Sequence, residues 1–269
     1  MNEAYVHGYS NKENQRLEDQ AVTLTELLHS DSGYPAGSLV LEAGCGVGAQ
    51  TITLLERSPG AQFISIDISK PSIDQAEAKA VSAGFDNIEF KVADIFDLPF
   101  EPETFDHIFL CFVLEHIPNP AGVLKHLKQV LKKGGTITAI EGDHGSTFFH
   151  PDSHAAHQTI QCLIDLQAKA GGHAEIGREL YPLFIQSGLA DVQVSPRMVY
   201  VDDSRPDWVD GFTKKTFTAM IEGIREKTLS EGLMDEKTFD QGVRDLYRTA
   251  ESDGVFCYTF FKAVGVKFH

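Results

Sequence analysis

Three acidic side chains and a cluster of glycines are the residues of this sequence best placed to do chemistry. Glu42 stands just before the run Gly44, Cys45, Gly46, Val47, Gly48; Asp67 comes 23 positions after Gly44, and Asp94 follows a further apolar run. Glycines in such a loop let the backbone turn sharply and approach a ligand with no Cβ in the way. The loop alone is ambiguous, because Gly44, Gly46 and Ala49 also satisfy the GxGxxG/A dinucleotide pattern. The bland alternatives are a tight strand-to-helix connection for the loop and a helix cap or solvated turn for each acid. Charge separates the readings. A pyrophosphate beside Glu42 would be repelled, whereas a cationic ligand would be attracted. Asp67 suits acceptance from ribose hydroxyls, Asp94 suits an exocyclic amine such as that of adenine, and Ile68 and Ile95 supply apolar surface for a base. An adenosine with a positively charged tail fits all of them.

Elements must bring these residues to one place. From Leu39 onward, short β-branched and aromatic runs alternate with stretches of helical period, which predicts an α/β, doubly wound sheet covered by helices. Strands are expected at 38–42, 62–66, 88–92, 105–111, 136–140, 192–195 and 255–266. In a doubly wound sheet, ligands bind beyond the carboxyl ends of the strands, so Glu42, Asp67 and Asp94 would face one crevice. Val123, Leu124, Leu127, Val130 and Leu131 form a helical stripe that Gly134 and Gly135 are expected to stop. Residues 17–28 have helical period and follow a polar leader containing Tyr5, His7, Tyr9 and Arg16. Two amphipathic helices are expected within 206–250, from Phe217, Met220, Ile221 and Ile224 and from Phe239, Val243 and Leu246. With no repeat or Pro/Ser-rich linker, residues 1–269 read as one domain: a flap and helix at 1–30, a binding core at 38–142, and a helical lid insert at 206–250.

Composition narrows the partners. Lysine and arginine total 23 against 39 aspartates and glutamates, a formal net charge of −16, so a nucleic-acid backbone would be repelled on average. The longest apolar run, Ile108 to Leu114, is far shorter than the roughly 20 residues of a membrane-spanning helix. The first residues lack the apolar core of a signal peptide, which points to the cytoplasm. Cys45, Cys111, Cys162 and Cys257 include no CxxC pair and read as reduced, mostly buried thiols. His150, His154 and His157 have spacings that one helix face would gather, but no cysteine or carboxylate set completes a tetrahedral site, and no metal is expected.

The segments VLEAGCGVGAQT, FISIDIS, ADIFDLPF, FDHIFLCFVLEHI and LKKGGTITAIE, in order over residues 38–142, resemble the class I S-adenosylmethionine-dependent methyltransferases. The resemblance implies a Rossmann-like seven-stranded sheet whose last strand, here CYTFFKAVGV, inserts antiparallel and sets the family apart from dinucleotide-binding folds. It implies that Glu42 and the Gly44, Cys45, Gly46 backbone, with Gln50 nearby, hold the methionyl part, that Asp67 and Ile68 hold the ribose and flank the base, and that Asp94 and Ile95 read adenine. Cys111 and Phe112 would border the methionyl amine, while Tyr9 and Arg16 resemble the tyrosine and arginine of an N-terminal flap over the cofactor. Outside 38–142 the likeness to small-molecule methyltransferases is loose, so the acceptor and its atom do not carry over.

Methyl transfer from a sulfonium is an in-line displacement, in which the protein chiefly aligns the reactants and excludes water. A base is needed only when the acceptor carries a proton. His116, beyond the fourth strand, and His144, after the fifth, are the candidate bases, with Asp143 or Glu141 to orient them. The competing readings are that His116 hydrogen-bonds the scaffold before Pro118 and that residues 141–145 form a solvated turn. The expected activity is methyl transfer to a small molecule. A nicotinamide-dependent oxidoreductase and a catalytically silent S-adenosylmethionine-binding protein are the alternatives.

Overall fold

The computed structural model describes residues 23–269, so Tyr9, Arg16 and the leader lie outside the described residues. Seven strands form one sheet in the order β3-β2-β1-β4-β5-β7-β6: β1 (Leu39–Ala43), β2 (Gln62–Asp67), β3 (Ile88–Val92), β4 (Phe105–Cys111), β5 (Leu131–His150), β6 (Ala190–Val201) and β7 (Val255–Val266). β2 pairs in parallel with β3 and with β1, β1 with β4, and β4 with β5. β7 runs antiparallel, as expected. Gly134 N donates to Lys267 O at 2.7 Å, whereas Thr259 N donates to Ser146 Oγ at 2.9 Å, so one strand advances as the other returns. The strands expected at 88–92, 105–111 and 255–266 have those bounds.

The helices are α1 (residues 23–29), α2 (Thr51–Arg57), α3 (Lys70–Ser82), α4 (Pro120–Val130), α5 (His154–Lys169), α6 (Leu180–Gln186), α7 (Pro206–Trp208), α8 (Ala219–Gly223), α9 (Arg225–Ser230) and α10 (Glu236–Arg248), with a π-helical stretch at Val209–Thr218. Their starts follow local chemistry. Ser69 caps α3 by accepting from Ser72 N, Asn119 caps α4 by accepting from Gly122 N, and each helix has proline in its first turn. Val123, Leu124, Leu127 and Val130, four of the five residues of the predicted stripe, are buried on α4, while the fifth, Leu131, lies in β5.

Three expectations are corrected. Gly134 and Gly135 do not stop α4: the helix ends at Val130, and Leu131 is already extended, with φ −79° and ψ 136°. Both glycines lie in β5, where the pairing shifts from Phe105 with Leu131 to His107 with Thr136, and a Cβ at Gly135 would come within 2.6 Å of Asp106 O. They therefore mark a bulge and a close backbone approach. β5 extends far beyond 136–140, so residues 141–145 are not a solvated turn; Glu141, Asp143 and His144 are buried within the strand. Residues 206–250 form a chain of short helical pieces before α10 rather than two helices. In addition, α5 begins at His154 behind Ser153, which accepts from Ala156 N.

Contacts divide the chain into two compact units. One unit comprises Leu28–Glu141, Gly177–Pro196 and Phe261–His269 and holds β1 to β4 with α2, α3, α4 and α6. Its core includes Val40, Leu41, Phe63, Ile66, Phe109 and Leu110, all buried. The other comprises the described residues up to Leu27, Gly142–Ile176 and Arg197–Phe260. There α5 and α10 approach closely at Gly242, whose position admits no Cβ without overlapping Thr159 and Ala155. Its core is aromatic: the rings of Phe217 and Phe256 lie 4.8 Å apart, and those of Tyr258 and Phe260 lie 4.6 Å apart.

Candidate functional site

Parallel pairing puts the carboxyl ends of β1, β2, β3 and β4 on one edge of the first unit, with Ala43 opposite Ile66, Asp67 opposite Val92 and Glu42 opposite Phe109. The chain order reverses between β1 and β4, the place where an open parallel sheet leaves a crevice. The glycine loop, Asp67, Ile68, Asp94, Ile95, Cys111, Phe112 and His116 all issue from this edge.

The loop holds its shape through left-handed backbone. Gly44, Gly46 and Gly48 have φ of 80°, 53° and 76°. A Cβ at Gly44 would fall 2.6 Å from Val113 Cγ2, and one at Gly48 would fall 3.0 Å from Ala76 of α3, whereas at Gly46 nothing among the described residues lies within 4 Å. Two glycines thus serve packing, and Gly46 leaves open space on the loop. Gly44 N and Cys45 N donate to Ile66 O at 2.8 and 3.0 Å, tying the loop to β2. Cys45 is buried, and burial pushes its thiol up, so it is not a thiolate nucleophile.

The acids differ in environment. Glu42 is only 2% exposed; its Oε2 accepts from Ser65 Oγ at 2.6 Å and from Thr51 Oγ1 at 2.8 Å. Burial raises its carboxyl from 4.5 to about 7, against the pull of the two hydroxyls, and the nearby Asp67 adds to the rise. Asp67 is the staple of the loop, its Oδ2 accepting from Gly46 N at 2.9 Å and its Oδ1 from Ser69 N at 2.8 Å. Asp94 is exposed, with Oδ1 accepting from Phe96 N at 2.9 Å. Around these acids stand apolar groups that water would otherwise cover, Ile68 at 49% and Phe96 at 45% exposure. Gln50 stands at the N-cap position of α2 without capping it through its side chain, and its Oε1 lies 2.8 Å from His29 Nε2.

Beyond β4, Phe112 adopts a φ of 57° and donates its N–H to Ile140 O at 2.9 Å. His116 closes a one-turn helix, Leu114–His116, with Nε2 3.4 Å from Glu115 Oε1. Cys111 is partly buried, and burial followed by Glu141 pushes its thiol well up. Asp143 and His144 belong to the other unit. There His144 Nδ1 lies 2.7 Å from Tyr258 Oη, a partner with no signal in the sequence because 114 positions separate the two. Gly142 makes room for that hydroxyl, since a Cβ there would overlap it. Among the described residues, no group of three or more His, Cys, Asp or Glu side chains is arranged to hold a metal. His157 instead stacks on Phe149 and pairs with Asp152 at 2.8 Å.

Residues 36–188 match the methyltransferase-domain family, more than half of the 269-residue chain. An uncharacterized 37.1 kDa protein of a Streptomyces fradiae transposon is 30% identical over 202 residues, covering 74% of this chain and 57% of that protein. The 27-O-demethylrifamycin SV methyltransferase of Amycolatopsis mediterranei is 26% identical over 227 residues, covering 83% of this chain and 76% of the relative. In structure, a phosphoethanolamine N-methyltransferase of Haemonchus contortus, in complex with phosphomonomethylethanolamine and S-adenosylhomocysteine, superposes with a TM-score of 0.58 at 17% identity. That superposition covers 95% of this chain and 53% of the other, and it bears on the fold alone. The chain thus spans little more than half the length of the first relative and of that structure. The ordered segments over 38–142, the antiparallel β7 and the family match agree: the chain belongs to the class I S-adenosylmethionine-dependent methyltransferase family.

Proposed function

We propose that this methyltransferase binds S-adenosylmethionine across the carboxyl ends of β1 to β4 and transfers its methyl group to a small-molecule acceptor. One observation carries the reading: a single sheet edge joins a glycine loop, open at Gly46, to the buried acid Glu42, the loop staple Asp67 and exposed apolar surface at Ile68 and Phe96. That donor set suits a cationic adenosine better than a pyrophosphate. The antiparallel β7 also argues against the nicotinamide alternative. The rifamycin relative supports a small-molecule acceptor.

When bound, the cofactor supplies a methyl group already activated on a sulfonium. The chain's own residues bind and orient it. Glu42, once ionised in its buried position, offers a negative charge to the cationic methionyl end, and the glycine loop that follows it is tied to β2 through Ile66 O and Asp67. Asp67 is held by two main-chain amides, so its remaining lone pairs are preorganised for ribose hydroxyls. Asp94 Oδ2 accepts no hydrogen bond among the described residues and suits the adenine amine, with Ile68, Ile95 and Phe96 as apolar flanks. Cys111 and Phe112 border the methionyl amine in this reading, and Gln50 fixes the start of α2 through His29. Tyr9 and Arg16, the proposed flap residues, lie outside the described residues.

For an acceptor that carries a proton, His116 is the candidate base on the sheet edge, with its Nε2 3.4 Å from Glu115 Oε1. His144, bonded to Tyr258, and Asp143 are the alternative set. Isothermal titration with S-adenosylhomocysteine and, separately, with NAD tests the reading, repeated on Asp67→Ala. Heat with the former alone, weakened in the variant, is the expected result. Heat with NAD alone would overturn it.

A further inference from the structure

Glu141 is a fully buried acid whose two oxygens are treated unequally. Oε1 accepts from Val113 N at 3.0 Å and from Leu114 N at 2.8 Å, while Oε2, equally cut off from solvent, has no hydrogen-bond partner among the described residues. The backbone it holds is the turn that leaves the sheet after Cys111. There Phe112 takes its left-handed φ of 57°, and Val113 packs into the space that Gly44 leaves by lacking a Cβ. One carboxyl group thus anchors the wall that meets the glycine loop.

We propose that Glu141 is a positioning residue of the methyl-transfer site, setting the Phe112–Leu114 backbone against the glycine loop and thereby the affinity for the cofactor. The inference rests on the cofactor reading above, because it assigns a purpose to the turn only if that edge of the sheet is the binding site. Burial and the neighbouring Glu115 favour the neutral form of Glu141, against the pull of the main-chain amides. A carboxylate with one bare oxygen in an apolar interior is costly, and Glu115, itself buried, adds a like charge. Burial first, and Glu115 second, hold the Glu141 carboxyl well above the usual range. Of the other charged groups at Cys111, which lies beside Glu141, Glu42 acts in the same sense, whereas the Lys262 ammonium, bound to Asp31 and Ser32, acts in the opposite one, and His116 Nε2 lies 3.4 Å from Glu115 Oε1. In the neutral form, Oε1 still accepts both amides and Oε2 carries the proton.

This predicts an unusual ranking of substitutions. In Glu141→Gln, the amide oxygen can accept the two N–H groups and the amide nitrogen takes the place of the hydroxyl, so the turn persists. Glu141→Ala leaves both amides without an acceptor. Glu141→Asp keeps the acid but draws it back by one methylene. Isothermal titration of the full chain with S-adenosylhomocysteine reads the turn directly, and urea unfolding reads stability separately. The expected result is affinity within about threefold of wild type for the glutamine variant and a loss of roughly tenfold or more for the alanine variant. Leu127→Ala, in the buried stripe of α4, should lose stability while keeping wild-type affinity. Wild-type affinity in Glu141→Ala would overturn the inference, as would an equal loss of affinity in Leu127→Ala. Should the alanine variant not fold, Glu141→Asp decides in its place: weakened binding supports the inference and unchanged binding overturns it. Silence of the wild-type chain toward S-adenosylhomocysteine would remove the cofactor reading and this inference with it; wild-type binding beside an unaffected variant removes the inference alone.

Discussion

Glu42 predicts a trade of stability against binding that can be worked out from its surroundings. Burial raises its carboxyl to about 7 in the folded chain from an ordinary value of 4.5. Between those values the folded state binds more protons than the unfolded one, so Glu42 lowers stability as pH rises from about 4.5 to 7. The loss is complete above the folded value and absent below the ordinary one. At pH 8 it amounts to about 3 kcal/mol, and at pH 5 to about 1 kcal/mol or less, taking roughly 1.4 kcal/mol per pH unit. Glu42→Gln removes the titration and retains an oxygen for the hydroxyls of Ser65 and Thr51. The variant should therefore gain about 2 kcal/mol relative to wild type between pH 5 and pH 8. The wild-type curve alone does not isolate the effect. Burial holds His29 down to about 4, so His29 adds stability as pH rises from about 4 to 6.5, the opposite sense over nearly the same window. The difference between variant and wild-type urea midpoints, measured from pH 5 to 8, cancels that contribution. In the cofactor reading, the same variant should bind S-adenosylmethionine roughly tenfold more weakly, having lost a charge-assisted contact. Parallel stability curves for variant and wild type across the range would refute the reasoning, since they would mean that Glu42 does not titrate there.

Other outcomes follow from the same geometry. Gly44→Ala combines a φ of 80° with a Cβ placed 2.6 Å from Val113, so it should cost about 1–3 kcal/mol in urea unfolding and weaken S-adenosylhomocysteine binding with it. Asp67→Asn must replace two charge-assisted bonds, to Gly46 N and Ser69 N, by neutral ones; about 1–2 kcal/mol should be lost, together with affinity for the nucleoside, while an unchanged affinity would take Asp67 out of the site. Gly142→Ala should displace the Tyr258 hydroxyl and break its contact with His144, lowering stability by about 1–3 kcal/mol in thermal unfolding, with Gly223→Ala, where a Cβ meets nothing, as the benign control.

The sequence by itself determined the sheet class, the placement of the early strands and the residues that cluster at their ends. Those features are local or periodic: alternation and β-branching mark β1 to β4, and glycines mark the turns where backbone must be left-handed. Parallel pairing then converts order along the chain into position along one edge, which is why Glu42, the glycine loop, Asp67 and Asp94 share that edge. Tertiary structure decided what each group does there. Glu42 is an acid sunk beneath the loop rather than a residue lining its surface, because Ser65 from the neighbouring strand and Thr51 from the following helix receive it. Gly134 and Gly135 read as a helix stop because composition cannot tell a cap from a bulge; the approach of Asp106 O, from the adjacent strand, makes them a bulge. Likewise, a run of glycine, acid and histidine reads as a solvated turn until β7 pairs alongside it and buries it, bringing Tyr258 to His144 across 114 positions. Glu141 shows the same limit most sharply, since its partners are main-chain amides on another strand's exit, and backbone donors leave no trace in side-chain identity.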